Sequence, residues 1–292
     1  MTDSAAIAAT GLSKRYGKHP VLNQLNLSIA SGAALGLLGA NGAGKTTLLK
    51  SLLGLIPTEE GSCTILGDPS RSLSVQARGR IGYVPQASAL FPWLTGEAML
   101  RYVAAFYPNF AGDYAHELAE RWKIALRSLI GTLSPGQQQR LSLVRALSSQ
   151  PDVLILDEPI ASLDPATRIA VIDELVRMRE RRSLTLIFSS HLIGDLERLC
   201  SKFAILVDGK VSVMNEVAWF RGLKRVRLQG DEETLEALEL PPVTLVRRPH
   251  VGARVVVATP SQTESLRAAL PPGVQMAVDE PDVEALASEW MQ

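Results

Sequence analysis

The chain has 292 residues, of which 46% are hydrophobic and 21% charged, a composition that suits one large globular domain or two smaller ones. Lys plus Arg and Asp plus Glu both total 30, and this zero net charge argues against a nucleic-acid-binding protein, which usually has a basic excess. No apolar run is long enough to cross a bilayer, and residues 1–17 lack the pattern of a signal peptide, so we expect the cytoplasm.

Strand-like and helix-like patterns alternate through most of the chain. The glycine-bounded apolar run 33–38 predicts a buried strand, and residues 46–55 predict the helix that follows it. Two more buried strands and several helices follow, and the predicted ranges are strands 153–159 and 183–191, helices 97–128, 165–181 and 192–200, and a hairpin at 203–214. Strands that alternate with helices form a mainly parallel sheet covered on both faces, so we predict an α/β fold.

The pattern changes after about Gly222. Four strands and three helices are predicted there, in the order strand, helix, strand, strand, helix, strand, helix. This order is that of a ferredoxin-like α+β domain with one helix added at its end. We therefore expect two domains, residues 1–222 and residues 223–292.

The stretch LSPGQQQRLSLVRAL contains a helix start with an unusual glycine. Ser134 is a good N-cap and Pro135 suits the first helical position, where its missing N–H would have no partner. Gly136 weakens this first turn, which makes sense if an anion approaches the backbone at the helix N-terminus. The alternative is an ordinary capped helix with a tolerated glycine.

A phosphate-binding motif lies between the first buried strand and its helix. Residues Gly39 to Thr46 match G-x-x-x-x-G-K-[ST] in full. The backbone N–H groups of such a loop surround phosphates, and the following helix N-terminus adds a favourable dipole. Lys45 would reach the β- and γ-phosphates, and the Thr46 hydroxyl would bind Mg²⁺.

Two acids end the predicted strand at 153–159. Asp157 can hold Mg²⁺, usually through water, because Mg²⁺ keeps several of its waters. Glu158 follows directly and can act as general base on the attacking water. The alternative for Glu158 is a second acid near the metal.

Five motifs of a known family occur in this chain in the family's order: the P-loop, LSPGQ, LDEP, Leu163-Asp164, and a strand that ends in His191. Over roughly residues 5–215, the chain resembles the ATP-binding subunit of an ABC transporter. The resemblance implies an ATPase with a P-loop NTPase core, an antiparallel β subdomain and a short helical subdomain at about 90–150. It also implies ATP and Mg²⁺ as cofactors.

The resemblance assigns a role to individual residues of this chain. Glu158, His191 and Gln86 would be catalytic, and Thr46, Gln86 and Asp157 would serve the metal. The nucleotide-binding residues would be Tyr16, Gly39, Asn41, Gly42, Ala43, Gly44, Lys45, Thr46, Thr47, Ser134, Gly136, Gln137 and Asp164.

Simpler roles are open for several of these residues. Tyr16, expected to stack on adenine, could be an exposed loop tyrosine, and Gln86 could be a surface amide. Asp164 suits a helix N-cap before Pro165 as well as a link between two sites, and His191 could simply cap or pack.

Two positions depart from the family pattern. Pro135 stands where the family has Gly, which removes one backbone N–H and leaves the strength of nucleotide binding there open. Ile160 stands where Thr is common after the acid-Pro pair, and we expect only a packing change.

The resemblance implies a dimer, because in the family the LSPGQ stretch serves the nucleotide of the opposite subunit. A separate membrane subunit would complete a transporter, with this chain peripheral at the cytoplasmic face of the inner membrane. The short helical segment, the Phe106-Tyr-Pro text and the C-terminal extension resemble subunits of two-component exporters. The competing hypothesis is a soluble ABC-type ATPase that acts on a ribosome or nucleic-acid complex, but we expect no nucleic-acid partner.

An apolar loop follows Gln86. Phe91, Trp93 and Leu94 would form a docking groove for a helix of the membrane subunit if they are exposed. The alternative is that they pack into the local core. We expect residues 223–292 to modulate dimer contacts or partner docking and to do no chemistry.

Overall fold

The computed structural model describes residues 5–190, 193–240 and 244–291. These residues belong to two compact units, Met1–Met214 and Asn215–Gln292. The predicted domain boundary after Gly222 falls inside the second unit, just beyond its first helix.

The strands and helices of the first unit are named here in chain order, and the last strand extends two residues past Met214, to Glu216. They are β1 (Ala5–Tyr16), β2 (His19–Ala30), β3 (Ala34–Leu38), α1 (Lys45–Leu52), β4 (Glu60–Ile65), β5 (Asp68–Pro69), α2 (Val75–Arg78), β6 (Ile81–Val84), α3 (Gly96–Ala104), α4 (Gly112–Arg121), α5 (Pro135–Ser148), β7 (Val153–Asp157), α6 (Pro165–Arg181), β8 (Thr185–Ser189), α7 (Ile193–Glu197), β9 (Lys202–Val207) and β10 (Lys210–Glu216).

Two sheets build this unit. A six-stranded sheet has the order β10-β9-β3-β8-β7-β6, and its central pairs are parallel, as predicted. Every residue of β3, β7 and β8 is buried, because helices or the other sheet cover both faces of these strands. An antiparallel sheet, β2-β1-β4-β5, packs on α1 through an apolar cluster that includes Ile7, Leu25 and Leu49.

The sheet order brings the predicted site to one edge. The loop after β3 enters α1 at Lys45, while β8 and then β7 lie beside β3 in the sheet. Because parallel strands end at the same edge, Asp157 at the end of β7 and Ser189 at the end of β8 are paired in register near the P-loop.

Several predicted elements differ in detail. The predicted helix 97–128 is two helices, α3 and α4, because residues 105–111 contain Pro108, which cannot continue a helix. The predicted hairpin is confirmed as β9 and β10, with Asp208 and Gly209 at φ 47° and 71° in its two-residue turn. No individual strand is predicted at β1, β2 or β6, but the antiparallel sheet that contains β1 and β2 agrees with the antiparallel β subdomain that the resemblance implies.

The second unit confirms the ferredoxin-like prediction. Its elements are α8 (Val217–Arg221), β11 (Lys224–Gln229), α9 (Glu232–Ala237), β12 (Leu245–His250), β13 (Ala253–Ala258), α10 (Pro260–Ala269), β14 (Gln275–Asp279) and α11 (Val283–Met291). The sheet order is β12-β13-β11-β14 with every described pair antiparallel, so two βαβ units interleave. Its first helix, α8, belongs with this unit because Phe220 of α8 is buried and lies 6.1 Å from the ring of Trp290 in α11.

Within the ranges that the structure describes, no helix is both long and apolar enough to cross a membrane.

Candidate active site

The P-loop bends tightly between β3 and α1. Gly44 has φ 101°, a left-handed conformation, and an added Cβ would lie 3.0 Å from the Val21 carbonyl oxygen. Only glycine fits there without strain. The loop therefore turns its backbone toward the N-terminus of α1, the geometry in which N–H groups bind phosphate.

Lys45 is buried at the start of α1 and points back across this loop. Its Nζ donates to the carbonyl oxygens of Gly39 at 2.7 Å and Ala40 at 3.3 Å. Glu158 Oε1 lies 3.4 Å from the same Nζ, and both side chains are 7% exposed. The cation of the P-loop and the second acid of LDEP thus form a buried ion pair.

Asp157 and Glu158 both contact Ser189, a residue that the sequence analysis missed. Ser189 Oγ donates to Asp157 Oδ1 at 2.9 Å and accepts the Glu158 N–H at 2.9 Å. Asp157 Oδ2 is buried and has no hydrogen-bond partner among the described residues. Burial and the nearby charge of Asp157 raise the pKa of Tyr83 to about 12, so this phenol stays protonated at neutral pH.

Glu158 has a left-handed backbone, with φ 47°. This conformation costs a non-glycine residue about 1–2 kcal/mol, so its neighbours must hold it. The Glu158 N–H, which also lies 3.2 Å from the Ser189 carbonyl oxygen, supplies one such restraint. The sharp turn directs Glu158 to Lys45 while Asp157 still faces β8.

A cavity of about 420 Å³ lies over the P-loop. Its lining includes most of the residues that the resemblance assigned to nucleotide and catalysis. These are Tyr16, Asn41, Gly42, Gly44, Lys45, Thr46, Thr47, Gln86 and Glu158. Gly39 and Ala43 belong to the loop itself, where Gly39 binds Lys45 and the Ala43 N–H donates to Ala40.

Tyr16 lies at the rim of this cavity and is 52% exposed. Lys14 Nζ lies 5.4 Å from the centroid of its ring, a cation–π distance. Glu59 holds Lys14 with a contact of 3.1 Å between Oε1 and Nζ. The ring of Tyr16 is therefore oriented by Lys14, a buried lysine that belongs to none of the sequence motifs.

The LSPGQ stretch begins α5 outside the cavity. Ser134 and Gln137 form a capping box, in which Ser134 Oγ accepts the Gln137 N–H and Gln137 Oε1 accepts the Ser134 N–H. The predicted N-cap and the proline at the first turn are confirmed. An added Cβ at Gly136 would lie 3.4 Å from the Ser162 carbonyl oxygen, an ordinary contact.

Asp164 caps α6, as one of its two predicted roles requires. Its carboxylate accepts the Thr167 N–H at 3.0 Å and the Thr167 hydroxyl at 2.7 Å. These two hydrogen bonds lower the pKa of Asp164. Asp164 does not line the cavity, and His191 lies outside the described residues.

An aromatic surface follows Gln86 in the chain, formed by Phe91, Trp93, Tyr102 and Phe106. The rings of Phe91 and Trp93 stack at 5.3 Å, and Tyr102 contacts both Phe91 and Phe106 edge-on at 5.7 and 5.2 Å. Trp93 is 70% exposed. Two residues of this surface, Tyr102 and Phe106, also line a second cavity of about 740 Å³.

The segment that contains Gln86 lies between this second cavity and the cavity over the P-loop. Gln139 of α5 donates to the Pro85 carbonyl oxygen at 3.4 Å, and Arg145 of α5 donates to the Tyr83 carbonyl oxygen at 2.9 Å. Pro85 lines the second cavity and Gln86 lines the first. One segment thus contacts both cavities and the helix that begins with LSPGQ.

The P-loop with its buried lysine and the acid pair that ends β7 define a P-loop ATPase, a protein that binds and hydrolyses ATP. Residues 22–161 match the family model described as ABC transporter. The ABC transporter ATP-binding protein YdbJ of Bacillus subtilis is 32% identical over 228 residues, which make up 77% of this chain and 70% of that protein. The Nod factor export ATP-binding protein I of Burkholderia lata is 36% identical over 212 residues, 70% of this chain and 69% of that protein. The chain belongs to the ATP-binding proteins of ABC transporters.

Solved structures agree with this family. The ATP-binding subunit of an ABC transporter superposes with a TM-score of 0.67 at 27% identity, over 74% of this chain and 92% of that chain. A dimeric ATP-binding cassette bound to ADP and Pi, in a post-hydrolysis state, has a TM-score of 0.65 at 25% identity, over 72% of this chain and 98% of that chain.

Proposed function

We propose that this chain is the ATP-hydrolysing subunit of an exporter. Two copies, or one copy and a close homologue, close on two ATP molecules and drive a separate membrane subunit. The observation that carries this proposal is the division of the site. The P-loop and Glu158 line the nucleotide cavity, whereas Ser134 and Gly136 lie outside it at the exposed start of α5. One chain alone therefore supplies half of each of two nucleotide sites. The P-loop and Glu158 belong to one site, and the start of α5 belongs to the other.

Gly136 supports a partner that approaches from outside. Glycine in the first turn costs helix stability, and the space around it in this chain would accept a Cβ. No described neighbour therefore accounts for glycine at this position. A phosphate held by the P-loop of a second subunit would account for it, since a bare backbone N–H at a helix N-terminus binds anions.

The acid pair fits a bound Mg²⁺. Asp157 Oδ2 is a buried carboxylate oxygen without a hydrogen-bond partner among the described residues, and hard oxygen ligands of this kind suit Mg²⁺. Thr46, Gln86 and Asp157 would hold the ion, directly or through water. When bound, Mg²⁺ would neutralise charge on the phosphate oxygens.

Residues of the chain itself do the remaining chemistry. Lys45 leaves its contacts with Glu158 and the P-loop carbonyls and binds the phosphates of ATP. Glu158 then no longer contacts Lys45 and accepts a proton from the attacking water as general base. Gln86 and His191 orient the water and the γ-phosphate, and Tyr16 stacks on adenine.

The aromatic surface and the 740 Å³ cavity beside it suit the membrane subunit. Exposed apolar surface rimmed by polar groups marks a binding site, and an apolar helix end is the partner that fits a groove of this kind. The names of the relatives from Burkholderia, which are export proteins, support the direction of transport. The chain would then be peripheral at the cytoplasmic side of the inner membrane.

The membrane partner is tested by detergent extraction and affinity purification of the tagged chain from its own organism. We expect wild type to retain one multispanning protein, and Trp93→Asp to lose it while it keeps ATP binding. Val75→Asp is the matched control, because Val75 of α2 is equally exposed, at 73%, but does not belong to the aromatic surface. Equal retention by all three proteins, or ribosomal RNA in place of a membrane protein, contradicts the proposal.

A further inference from the structure

Ser189 contacts both acids of the site through one hydroxyl group. It is the last residue of β8, it is fully buried, and the strand register pairs it with Asp157. Its Oγ donates to the Asp157 carboxylate and accepts the backbone N–H of Glu158, both at 2.9 Å. A serine hydroxyl has one proton to donate, so this pair of contacts fixes its direction.

The two contacts act on different parts of the acid pair. The bond to Asp157 occupies Oδ1, whereas the buried Oδ2 has no hydrogen-bond partner among the described residues. The bond from Glu158 restrains a left-handed residue whose side chain reaches Lys45. Loss of the hydroxyl would free the Asp157 carboxylate to rotate and would remove one restraint on the turn at Glu158.

We propose that Ser189 is a positioning residue for ATP hydrolysis, which aims Asp157 Oδ2 at the metal position and holds the Glu158 carboxylate toward the nucleotide. The proposal rests on the proposed roles of Asp157 and Glu158. Residues that hydrogen-bond a metal ligand typically change metal affinity or activity by about 10–100-fold when they are removed. Ser189 therefore acts through its two neighbours and need not touch the nucleotide.

The test compares Ser189→Ala with Thr185→Val, a matched control on the same strand. Thr185 is also buried, and its hydroxyl accepts the Gly32 N–H at 2.9 Å, but it lies at the other end of β8. Each change removes one buried hydroxyl from β8. Ser189→Thr keeps the hydroxyl and is the conservative variant.

Three quantities are measured for each variant: the melting temperature without nucleotide, the Mg²⁺ concentration at half-saturation of binding to a fluorescent ATP analogue, and kcat with KM for ATP. For Ser189→Ala we expect kcat to fall by about 10–100-fold and the Mg²⁺ requirement to rise, while binding of the analogue in EDTA stays unchanged. Thr185→Val should lower only the melting temperature, and Ser189→Thr should recover most of kcat.

A wild-type Mg²⁺ requirement and kcat in Ser189→Ala would overturn the proposal, as would the same losses in Thr185→Val. Failure of the proposed function would look different. In that case wild type would hydrolyse no ATP with Mg²⁺, or Glu158→Gln would keep full turnover.

Discussion

Replacement of Glu158 by Gln probes the active site directly, because it removes one negative charge and keeps the shape of the side chain. Its carboxylate lies 3.4 Å from Lys45 Nζ in a buried pair. Loss of one partner from a buried ion pair typically lowers the free energy of unfolding by about 3–5 kcal/mol. Lys45 keeps two carbonyl acceptors, so we expect about 3 kcal/mol, the lower end of that range.

Hydrolysis should also slow strongly. Removal of a general base slows a reaction by about 10²–10⁴-fold, which corresponds to about 2.7–5.4 kcal/mol in the barrier. ATP binding should persist, because the P-loop glycines, Lys45 and Thr46 are unchanged. ATP at about 100 times its Kd would add about 2.7 kcal/mol of stability and so would offset most of the loss in the free protein.

The assay measures phosphate release at saturating ATP and Mg²⁺, together with thermal melts with and without ATP. Glu174→Gln is the control, since Glu174 is a buried glutamate of α6 that accepts a hydrogen bond from Tyr114 and pairs with Arg121 and Arg177, outside the nucleotide cavity. It should lose stability and keep turnover. Near wild-type turnover in Glu158→Gln, or joint loss of turnover and ATP binding, would refute the reasoning. Full turnover that only requires more Mg²⁺ would assign Glu158 to the metal.

Lys45→Ala should abolish measurable ATP binding in equilibrium dialysis, and unchanged affinity would count against the phosphate site. Ser134→Arg should block hydrolysis but not ATP binding, and its mixture with Lys45→Ala should regain activity through one intact interface; an inactive mixture would contradict the trans arrangement. Truncation after Met214 should leave a soluble protein that binds ATP, as checked by gel filtration and dialysis, whereas a soluble product without ATP binding would contradict the two-unit description. Hydrogen bonds to the Gly112 carbonyl and Glu97 raise the pKa of His116, so their contribution to stability is complete below about pH 6.5 and disappears as pH rises through the raised pKa. His116→Gln should therefore lower the melting temperature more at about pH 5.5 than at about pH 9, and equal shifts would contradict this assignment.

The sequence predicts the central strands well because their burial leaves a local mark. Strands β3, β7 and β8 are short apolar runs, which only a sheet covered on both faces requires. Strands β1 and β2 are harder to predict, because buried and exposed residues alternate irregularly along them. Their pairing contains register shifts, for example between Ala9 and Leu12, which break the two-residue period.

The residues of the candidate site also differ in whether the sequence predicts them. Lys45, Thr46, Asp157 and Glu158 are predicted because each belongs to a motif of adjacent residues, although their roles stay predictions. Ser189 carries no motif, and its contacts with the acids depend on the parallel pairing of β7 with β8. A residue that is brought to the site by long-range register leaves no pattern in the local sequence.

Pro135 and Gly136 relate the start of α5 to the dimer interface that we propose. A capping box and a proline at the first turn stabilise α5. The glycine between Pro135 and Gln137 destabilises the same turn. Pro135 lacks an N–H, and the Gln137 N–H is already bound to Ser134, which leaves the Gly136 N–H as the donor in this turn with an open approach. That pattern suits a single contact with an anion from outside the chain, and it explains why a helix that is otherwise well capped begins with a destabilising residue.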